Sequence, residues 1–342
     1  MDVGGTKVLG VIVDDRGHVL VEERRDTRDQ GEAIVDDLAS VCEHLFRTIE
    51  SDEVVGEARA GDAGAVCVGV GIPGIVDRDG LLRFAPNLLG ANGTHIRAGL
   101  QKRLGTRAGV YVDNDATCAV VGECSFGAGV GRDDVLFITV GTGIGGGILS
   151  GGRLLRGAAN FAAEVGHVVV DPHGPPCGCG RRGCWERYAS GSGLGHIARD
   201  AALAGRADRV RQLAGGDSDD VRGEHVVLAA AEGDAEAVAI LEEFAWWLAL
   251  GLGNLANILD PEIIVIGGGL VRAGQALFEP VRAAFADQLE GHALRPAIEI
   301  VPAALGERGG AIGAASLARQ AAAQLDCARS GEIQQAAIKP VK

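Results

Sequence analysis

The sequence predicts an α/β protein of two domains. Its 342 residues are long for a single domain. Hydrophobic residues make up 47 % of the chain and aromatic residues only 4 %, so Ala, Val, Leu and Ile dominate, and this apolar content is too high for a disordered chain. Short apolar runs of strand length alternate with longer segments of helical spacing, which is the pattern of an α/β fold.

The net charge and the glycine content further restrict which class of protein this chain can belong to. The formal net charge is −14 and the isoelectric point is near 5.0, whereas a nucleic-acid-binding surface needs clustered Lys and Arg. Glycine accounts for 54 residues, about 16 % of the chain, against roughly 7 % in average proteins, and no Gly-X-Y period is present. We therefore expect no nucleic-acid partner and many tight backbone turns.

The sequence carries no visible signal for export or membrane insertion. No charged-then-apolar leader is seen at its start. The longest apolar run, residues 244–259, has sixteen residues with two asparagines inside, which is short for a bilayer span of about 20 and predicts a buried helix. Three of the eight cysteines fall within eight positions, which in an intracellular protein favours a metal over disulfides. We expect a cytoplasmic protein without a membrane partner.

The first half of the chain alternates between strands and helices. Two apolar runs flank the turn residues 14–17 and predict a hairpin. Apolar residues at helical spacing from Ile34 to Ile49 predict a long helix, and two further short apolar runs are typical of buried strands. In chain order the predicted elements are strands 8–13 and 19–22, helix 29–49, strands 65–70 and 110–112, and helix 115–126.

The second half repeats the alternation. Another hairpin is predicted where two apolar runs flank a glycine turn, and four apolar residues before three glycines predict a buried strand. The polar segment 206–223 is expected to be a surface loop, and the polar tail 326–342 to be disordered. The predicted elements are strands 135–140, 148 onward and 166–170, helices 187–204, 224–231 and 234–259, strand 263–266, helix 273–289, strand 298–301 and helix 309–323.

The first of three glycine loops lies directly before a strand and is a candidate phosphate site. In this DVGGTK segment, the backbone N–H groups of Gly4 and Gly5 can approach a phosphate because no Cβ intervenes. Thr6 and Lys7 add a hydroxyl and a charge, and Asp2 offers a carboxylate to a metal-bound water. The alternative is an ordinary hairpin entry.

The other two loops are TVGTGIGGG at 139–147, which includes Thr142 and Gly143, and GGG at 267–269. Glycines at 141, 143 and 146 fit the G-x-G-x-x-G pattern, but that fingerprint requires a helix directly after it, and here a strand follows. We therefore reject a Rossmann domain and an NAD-dependent dehydrogenase. Gly267, Gly268 and Gly269 lie between a strand and a helical segment, which favours a nucleotide at the helix start or close helix–strand packing.

One histidine and three cysteines have the spacing of a structural zinc site. His167, Cys177, Cys179 and Cys184 supply one imidazole and three thiols within eighteen residues, and the intervening glycines allow tight turns. A Cys₃His set is typical of a closed tetrahedral zinc site, which has no open position for water. His173 is a competing imidazole.

Acidic residues occur at positions where they could accept a proton or bind a ligand. Asp113, Asn114 and Asp115 end a short strand and begin a helix, where an Asp could accept a proton from a hydroxyl or simply cap the helix. Glu164 and Glu186 lie near the ends of the candidate zinc cluster, which would bring them together. Carboxylates around a pocket suit a neutral polyhydroxylated ligand, since they accept hydrogen bonds from hydroxyls.

Together these motifs resemble the ROK family of repressors and sugar kinases, and within it the ATP-dependent glucokinases of actinobacterial type. The resemblance runs from residue 2 to about residue 323. It rests on DVGGTK, GIPGIVD at 71–77, ND at 114–115, VGTGIGGG, EVGH at 164–167, CGCGRRGCWE at 177–186 and VIGGG at 265–269. The family normally has several apolar residues before its first motif, so we expect a shortened first strand or a start internal to the gene.

The resemblance implies a fold of two actin-like (RNase H-like) α/β lobes with the active site in the cleft between them. The first, smaller lobe would comprise residues 1–114 and 306–325, and the second, larger lobe residues 115–305 with the zinc site. It also implies ATP, Mg²⁺ and a structural Zn²⁺ as cofactors, and a homodimer or homotetramer.

The implied activity is transfer of phosphate from ATP to the 6-hydroxyl of glucose, with Asp115 as general base. The implied sugar contacts are Asn114, Asp115, Glu164, His167 and Glu186, and His167 would use one ring nitrogen for zinc and the other for the sugar. The implied phosphate and adenosine contacts are Asp2, Gly4, Gly5, Thr6, Lys7, Thr142, Gly143, Gly267, Gly268 and Gly269. Another ROK hexose or N-acetylmannosamine kinase, a polyphosphate-dependent glucokinase and a sugar-responsive transcriptional regulator are the alternatives.

Overall fold

A computed structural model describes residues 1–51 and 66–330, and within these ranges the strands form two five-stranded sheets and one two-stranded sheet. The strands are β1 (Asp2–Val3), β2 (Lys7–Val13), β3 (Val19–Asp26), β4 (Val66–Ile72), β5 (Ile75–Val76), β6 (Leu82–Phe84), β7 (Ala108–Asn114), β8 (Val135–Val140), β9 (Ile144–Ser150), β10 (Arg153–Leu154), β11 (Ile263–Gly267) and β12 (Glu299–Pro302).

Helices alternate with these strands as an α/β fold requires. The α-helices of the described ranges are α1 (Gly31–Ser51), α2 (Ile96–Leu104), α3 (Asp115–Phe126), α4 (Glu186–Ala189), α5 (Gly191–Leu203), α6 (Asp208–Leu213), α7 (Gly223–Ala231), α8 (Ala235–Leu259), α9 (Gln275–Gln288) and α10 (Gly309–Ser330).

The first sheet has the strand order β3-β2-β1-β4-β7. Alternate residues of β2 face opposite sides, as the two-residue period of a strand requires: Val8 joins the large apolar core with α1 and α2, whereas Leu9 and Val11 pack with Ala311 of α10. Strands β1, β4 and β7 run parallel, so the residues at their carboxyl ends meet at one edge.

The second sheet has the order β10-β9-β8-β11-β12, with β8, β11 and β12 parallel. All five residues of β11 are buried, as expected for a parallel strand covered on both faces. Gly267 of β11 pairs with Thr139 of β8, so the two glycine loops that follow these strands leave the same edge of the sheet.

The chain divides into two compact units. The first comprises Met1–Asp133, Gly147–Ala163 and the chain from Ala304, as far as these are described; the second comprises Asp134–Gly146 and Glu164–Ala303. Helix α3 belongs to the first unit, whereas the predicted second lobe began at residue 115. Of the tail expected to be disordered, 331–342 lie outside the described residues, and α10 continues to Ser330.

Three sequence predictions of secondary structure are wrong. Residues 166–170 form no strand, because a 3₁₀ turn covers Val165–His167 and Val169 pairs only through one isolated bridge. The helix predicted at 187–204 is two helices, α4 and α5, because extended backbone at Ser190 ends one and caps the next. The predicted loop 206–223 contains α6.

The apolar run 244–259 is the second half of α8, in which most residues are buried. Within the described ranges, no helix combines the length and the apolar character needed to cross a membrane.

Candidate active site

In the first unit, the carboxyl ends of β4 and β7 place Asn114 at the edge of the sheet, with Asp115 directly after it. Asn114 is the N-cap of α3: its Oδ1 accepts a hydrogen bond from the Thr117 N–H (3.0 Å), and its Nδ2 donates to the Gly74 carbonyl (3.1 Å). The cap that the sequence analysis considered for Asp113 or Asp115 is therefore supplied by the residue between them.

Asp113 is buried and fully engaged in holding a loop. Its Oδ2 accepts from Arg156 Nε (3.1 Å) and Nη2 (3.0 Å), and its Oδ1 accepts from Asn160 Nδ2 (3.1 Å). No sequence pattern indicated a role for Arg156 or Asn160. Asp113 thus orders the loop that leads to Glu164.

Asp115 is the second carboxylate at this edge of the sheet, and its contacts differ from those of Asp113. Its Oδ1 accepts the N–H of Ala116 (2.8 Å), and it forms no ion pair with any described residue. Burial raises the pKa of Asp115, which the hydrogen bond from Ala116 opposes in part. A partly buried carboxylate with a raised pKa and no cationic partner is suited to accept a proton from a hydroxyl.

Asp2 lies close enough to Asp115 for the two carboxylates to repel each other. Burial, and then repulsion from Asp115, raises the pKa of Asp2 to about 7. Carboxylate oxygens are ligands that Mg²⁺ prefers, directly or through water, and a bound cation would relieve this repulsion. The residues present at this position therefore fit a magnesium ion.

The adjoining loop from Gly4 to Lys7 is exposed, and hydrogen bonds to its backbone carbonyls stabilise it. The Gly4 N–H donates to the Lys7 carbonyl (2.7 Å), and Thr27 Oγ1 donates to the Gly4 carbonyl (3.0 Å). The exposed Gly5 and Thr6 form the tip of this turn. Such a turn leaves backbone N–H groups available to an anion.

In the second unit, the two other glycine loops lie side by side at the carboxyl edge of parallel strands. Gly268 has φ +89°, and a Cβ there would lie 2.4 Å from the carbonyl oxygen of Val140, so only glycine allows the two loops to approach this closely. Gly267 ends β11, and Thr142 and Gly269 are exposed at the tips. Ligands of open α/β sheets bind at such carboxyl edges.

His167, Cys177, Cys179 and Cys184 converge in the structure, and His173 does not take part. Their ligand atoms all lie within 4.8 Å of one another. Cys179 Sγ and Cys184 Sγ are 3.5 Å apart, and Cys177 Sγ is 3.8 Å from His167 Nδ1. With Zn–S distances of about 2.3 Å, sulfurs at tetrahedral corners would be about 3.8 Å apart. The cluster therefore fits a tetrahedral zinc ion.

Glu164, His167 and Glu186 are positioned by this cluster. Glu164 caps the 3₁₀ turn that His167 ends, and residues three apart in such a turn are eclipsed. Glu186 Oε1 lies 3.4 Å from His167 Nδ1 and 3.0 Å from Cys177 Sγ. Because Nδ1 of His167 faces the cluster, its Nε2 is the nitrogen that is available for a further partner.

Glu186 also touches the glycine loop at 141–143. A Cβ at Gly143 would lie 2.8 Å from Glu186 Oε2, so a larger residue there would displace the carboxylate. The residue before Glu186, Trp185, is fully buried, and its Nε1 donates to the Trp247 carbonyl (2.8 Å). Trp185 is therefore a positioning residue that was not predicted, although a Trp directly beside the candidate metal ligand Cys184 was an available sequence signal.

The chain matches the ROK family over residues 1–321. A glucokinase from Streptomyces coelicolor is 39 % identical over 325 residues, covering 94 % of this chain and 96 % of the relative. The crystal structure of a ROK family glucokinase from Streptomyces griseus in complex with glucose and AMPPNP is also 39 % identical, has a TM-score of 0.79, and covers 93 % of this chain and 98 % of that one. A xylose repressor from Bacillus subtilis is 25 % identical over 317 residues, covering 93 % of this chain and 75 % of the repressor.

These similarities extend along nearly the whole chain and include proteins above 30 % identity. They confirm the resemblance on which the sequence analysis rested. The chain therefore belongs to the ROK family and has the actin-like α/β fold of its sugar kinases.

Proposed function

We propose that the protein is a glucokinase that transfers the terminal phosphate of ATP to the 6-hydroxyl of glucose. The observation that carries the proposal is Asp115, a carboxylate with a raised pKa and no ion-pair partner among the described residues. The 39 % identity to Streptomyces glucokinases over nearly the full length supports the same activity.

Phosphoryl transfer depends mainly on positioning and on stabilising charge, so a base, a metal and backbone donors suffice. Asp115 would take the proton from the 6-hydroxyl. The loop from Gly4 to Lys7 and the loop with Thr142 and Gly143 would hold the ATP phosphates, and Gly267, Gly268 and Gly269 the adenosine. Asp2 would hold Mg²⁺, which neutralises phosphate charge when bound.

The sugar would be bound by Asn114, Glu164, His167 and Glu186. Their carboxylates and amide can accept and donate hydrogen bonds to several hydroxyls at once. His167 would bind zinc through Nδ1 and the sugar through Nε2, as the orientation of its ring supports. Zinc would hold these side chains in position and would take no part in phosphate transfer.

We further propose a cytoplasmic enzyme that acts on no nucleic acid or membrane and forms a homodimer or homotetramer. The three cysteines of the cluster form no disulfide, and neither do Cys42, Cys118 and Cys124, which suits a reducing compartment. The regulator alternative has weaker support, since the repressor relative shares 25 % identity against 39 % for the glucokinase.

Asp115→Asn tests the assignment directly. The amide keeps the shape of the side chain but cannot take a proton, so we expect kcat to fall by about 10²–10⁴-fold while the Kd for glucose changes by less than about tenfold. A coupled ADP-release assay with glucose measures turnover, and calorimetry measures glucose binding. Polyphosphate in place of ATP identifies the donor.

The pH profile supplies an independent check. Burial raises the pKa of Asp115, so the side chain should become protonated, and turnover should fall, at a pH above the usual pKa of an aspartate. The exposed Asp208→Asn is the matched control and should keep both kcat and the profile. Unchanged turnover in Asp115→Asn would contradict the proposed base.

A further inference from the structure

The second unit contains a cavity of about 720 Å³ that none of the proposed active-site residues lines. Its walls come from α4, α5 and the first half of α8. Small-molecule sites are typically cavities of about 300–1,000 Å³. The cavity therefore has the size of a ligand site, and its chemistry can be read from the side chains.

Two arginines converge on one histidine at this cavity. Arg187 Nη2 lies 3.0 Å from His196 Nε2, and Arg199 Nη2 lies 2.8 Å from His196 Nδ1. Burial, and then the charges of Arg199 and Arg187, lowers the pKa of His196. A neutral imidazole accepts only one hydrogen bond, so one of the two arginines faces an N–H group instead of an acceptor.

The cavity also has an unsatisfied buried donor. Arg187 Nε is the one buried side-chain nitrogen or oxygen without a hydrogen-bond partner in the ranges that the structure describes. Arg206 lines the same cavity and forms no ion pair within those ranges. Leaving a buried charged donor unpaired costs about 1–3 kcal/mol or more, and an anion rich in oxygen would satisfy it. Guanidinium groups bind phosphate through paired N–H donors.

The rest of the lining is unsuited to a purely anionic ligand. Three carboxylates, Asp200, Glu236 and Glu243, line the cavity with Trp247, whose ring stacks on Tyr188 with centroids 4.1 Å apart. Carboxylates repel a second phosphate but accept hydrogen bonds from hydroxyls. A ligand with one phosphate and several hydroxyls would match both parts of the lining.

We propose that this cavity binds a sugar phosphate, with the phosphate on Arg187 and Arg206 and the hydroxyls on the carboxylates. Helix α4 carries Glu186 and Arg187 as neighbours, so a ligand on Arg187 acts on the same short helix that positions Glu186. Occupancy of the cavity then changes the affinity of the protein for glucose. This second consequence rests on the proposed glucokinase function, whereas binding itself does not.

Isothermal titration with glucose 6-phosphate tests the proposal on the full chain, with glucose and AMPPNP at saturation to occupy the proposed active site. We expect the wild type to bind the probe and Arg187→Ala to weaken binding at least tenfold. Arg206 is exposed, so Arg206→Ala should fold normally, and it should weaken binding at least threefold. Arg211→Ala, on α6 outside the cavity, should bind within twofold of the wild type. Inorganic phosphate should bind at least tenfold more weakly than the sugar phosphate.

Absence of binding to the wild type, or equal binding by Arg206→Ala and Arg211→Ala, overturns the proposal. Inorganic phosphate that binds as tightly as glucose 6-phosphate overturns the sugar part of it. The titration needs no turnover, so a chain that fails to phosphorylate glucose would refute the proposed function without refuting this site.

Discussion

Three consecutive residues at the end of β7 have three different tasks. Asp113 binds Arg156 and Asn160, Asn114 caps α3, and Asp115 accepts the backbone N–H of Ala116 without an ion-pair partner among the described residues. Side-chain type alone does not separate the two aspartates. Their partners do, because the carboxylate paired with a guanidinium holds structure and the one without such a partner is available for chemistry.

The loop that follows Arg156 contains backbone strain at a non-glycine residue. Ala163, directly before Glu164, has φ +70°, a conformation that costs an L-residue with a Cβ about 1–2 kcal/mol. Glycine adopts it freely, although the larger conformational entropy of its unfolded chain lowers the free energy of unfolding by about 0.4–1 kcal/mol. We expect Ala163→Gly to raise the free energy of unfolding by about 0.5–1 kcal/mol.

Urea denaturation of the two variants Ala163→Gly and Ala162→Gly measures this effect. Ala162 is the matched control, because its φ is not positive and glycine there should only lower stability. If both variants lose stability to the same extent, Ala163 is not strained in solution.

At the scale of elements, glycines bring α10 against its neighbours. A Cβ at Gly313 would lie 1.7 Å from the Cys118 carbonyl oxygen of α3, and a Cβ at Gly69 of β4 would lie 1.8 Å from the Ala314 carbonyl oxygen. The first turn of α10 also lies against Asp2, since a Cβ at Gly310 would be 2.7 Å from its Cγ. These contacts account for part of the high glycine content and hold α3, which begins at Asp115.

Gly313→Ala should therefore destabilise the protein by about 1–3 kcal/mol, the usual cost of overpacking. The clash is with backbone, which cannot move aside as a side chain can. Gly99→Ala in α2 is the matched control, because its Cβ would meet only side chains, with Val35 at 3.2 Å, and alanine favours helix. Thermal unfolding of both variants measures the difference, and equal Tm values would refute close α3–α10 packing.

The sequence predicted elements best where one hydrophobic pattern decided them. Helix 115–126 and strand 135–140 agree with α3 and β8, because each has clear end signals and a continuous buried run. The valines at 168–170 mimic a strand, but the cluster around Cys184 holds them in irregular backbone, with Val168 43 % exposed. Such an override by tertiary contacts cannot be read from local periodicity.

At the scale of the whole molecule, the order of the strands in the sheets could not be predicted from the sequence. Pairing between β1 and β4, or between β8 and β11, joins residues more than sixty positions apart, and no local pattern specifies it. The candidate site was more accessible, since its residues occur in short motifs. The four cluster residues chosen from spacing alone do converge, because tight loops leave few ways to bring three thiols and an imidazole together.

The cluster should link metal binding to both stability and sugar affinity. Structural zinc contributes to folding free energy outright, and here its ligands include His167 and lie beside Glu186. Cys179 is the suitable ligand to change, because it is partly exposed and no contact to Glu186 involves it. Losing the metal would then affect Glu186 only through the loop.

Cys179→Ser should lose zinc, which metal analysis would find at about one ion per wild-type chain. We expect a lower Tm, because the loop of the second unit loses its cross-link, and a KM for glucose about tenfold higher or more, because the proposed sugar contacts Glu186 and His167 lose the metal that orients them. The KM for ATP should change less than threefold, since Glu186 meets the proposed phosphate loops only at Gly143, through the end of its side chain. Cys67→Ser, in β4 of the first unit, should retain zinc and both KM values. A Cys179→Ser protein that keeps its glucose KM after losing zinc would show that Glu186 and His167 hold their positions without the metal.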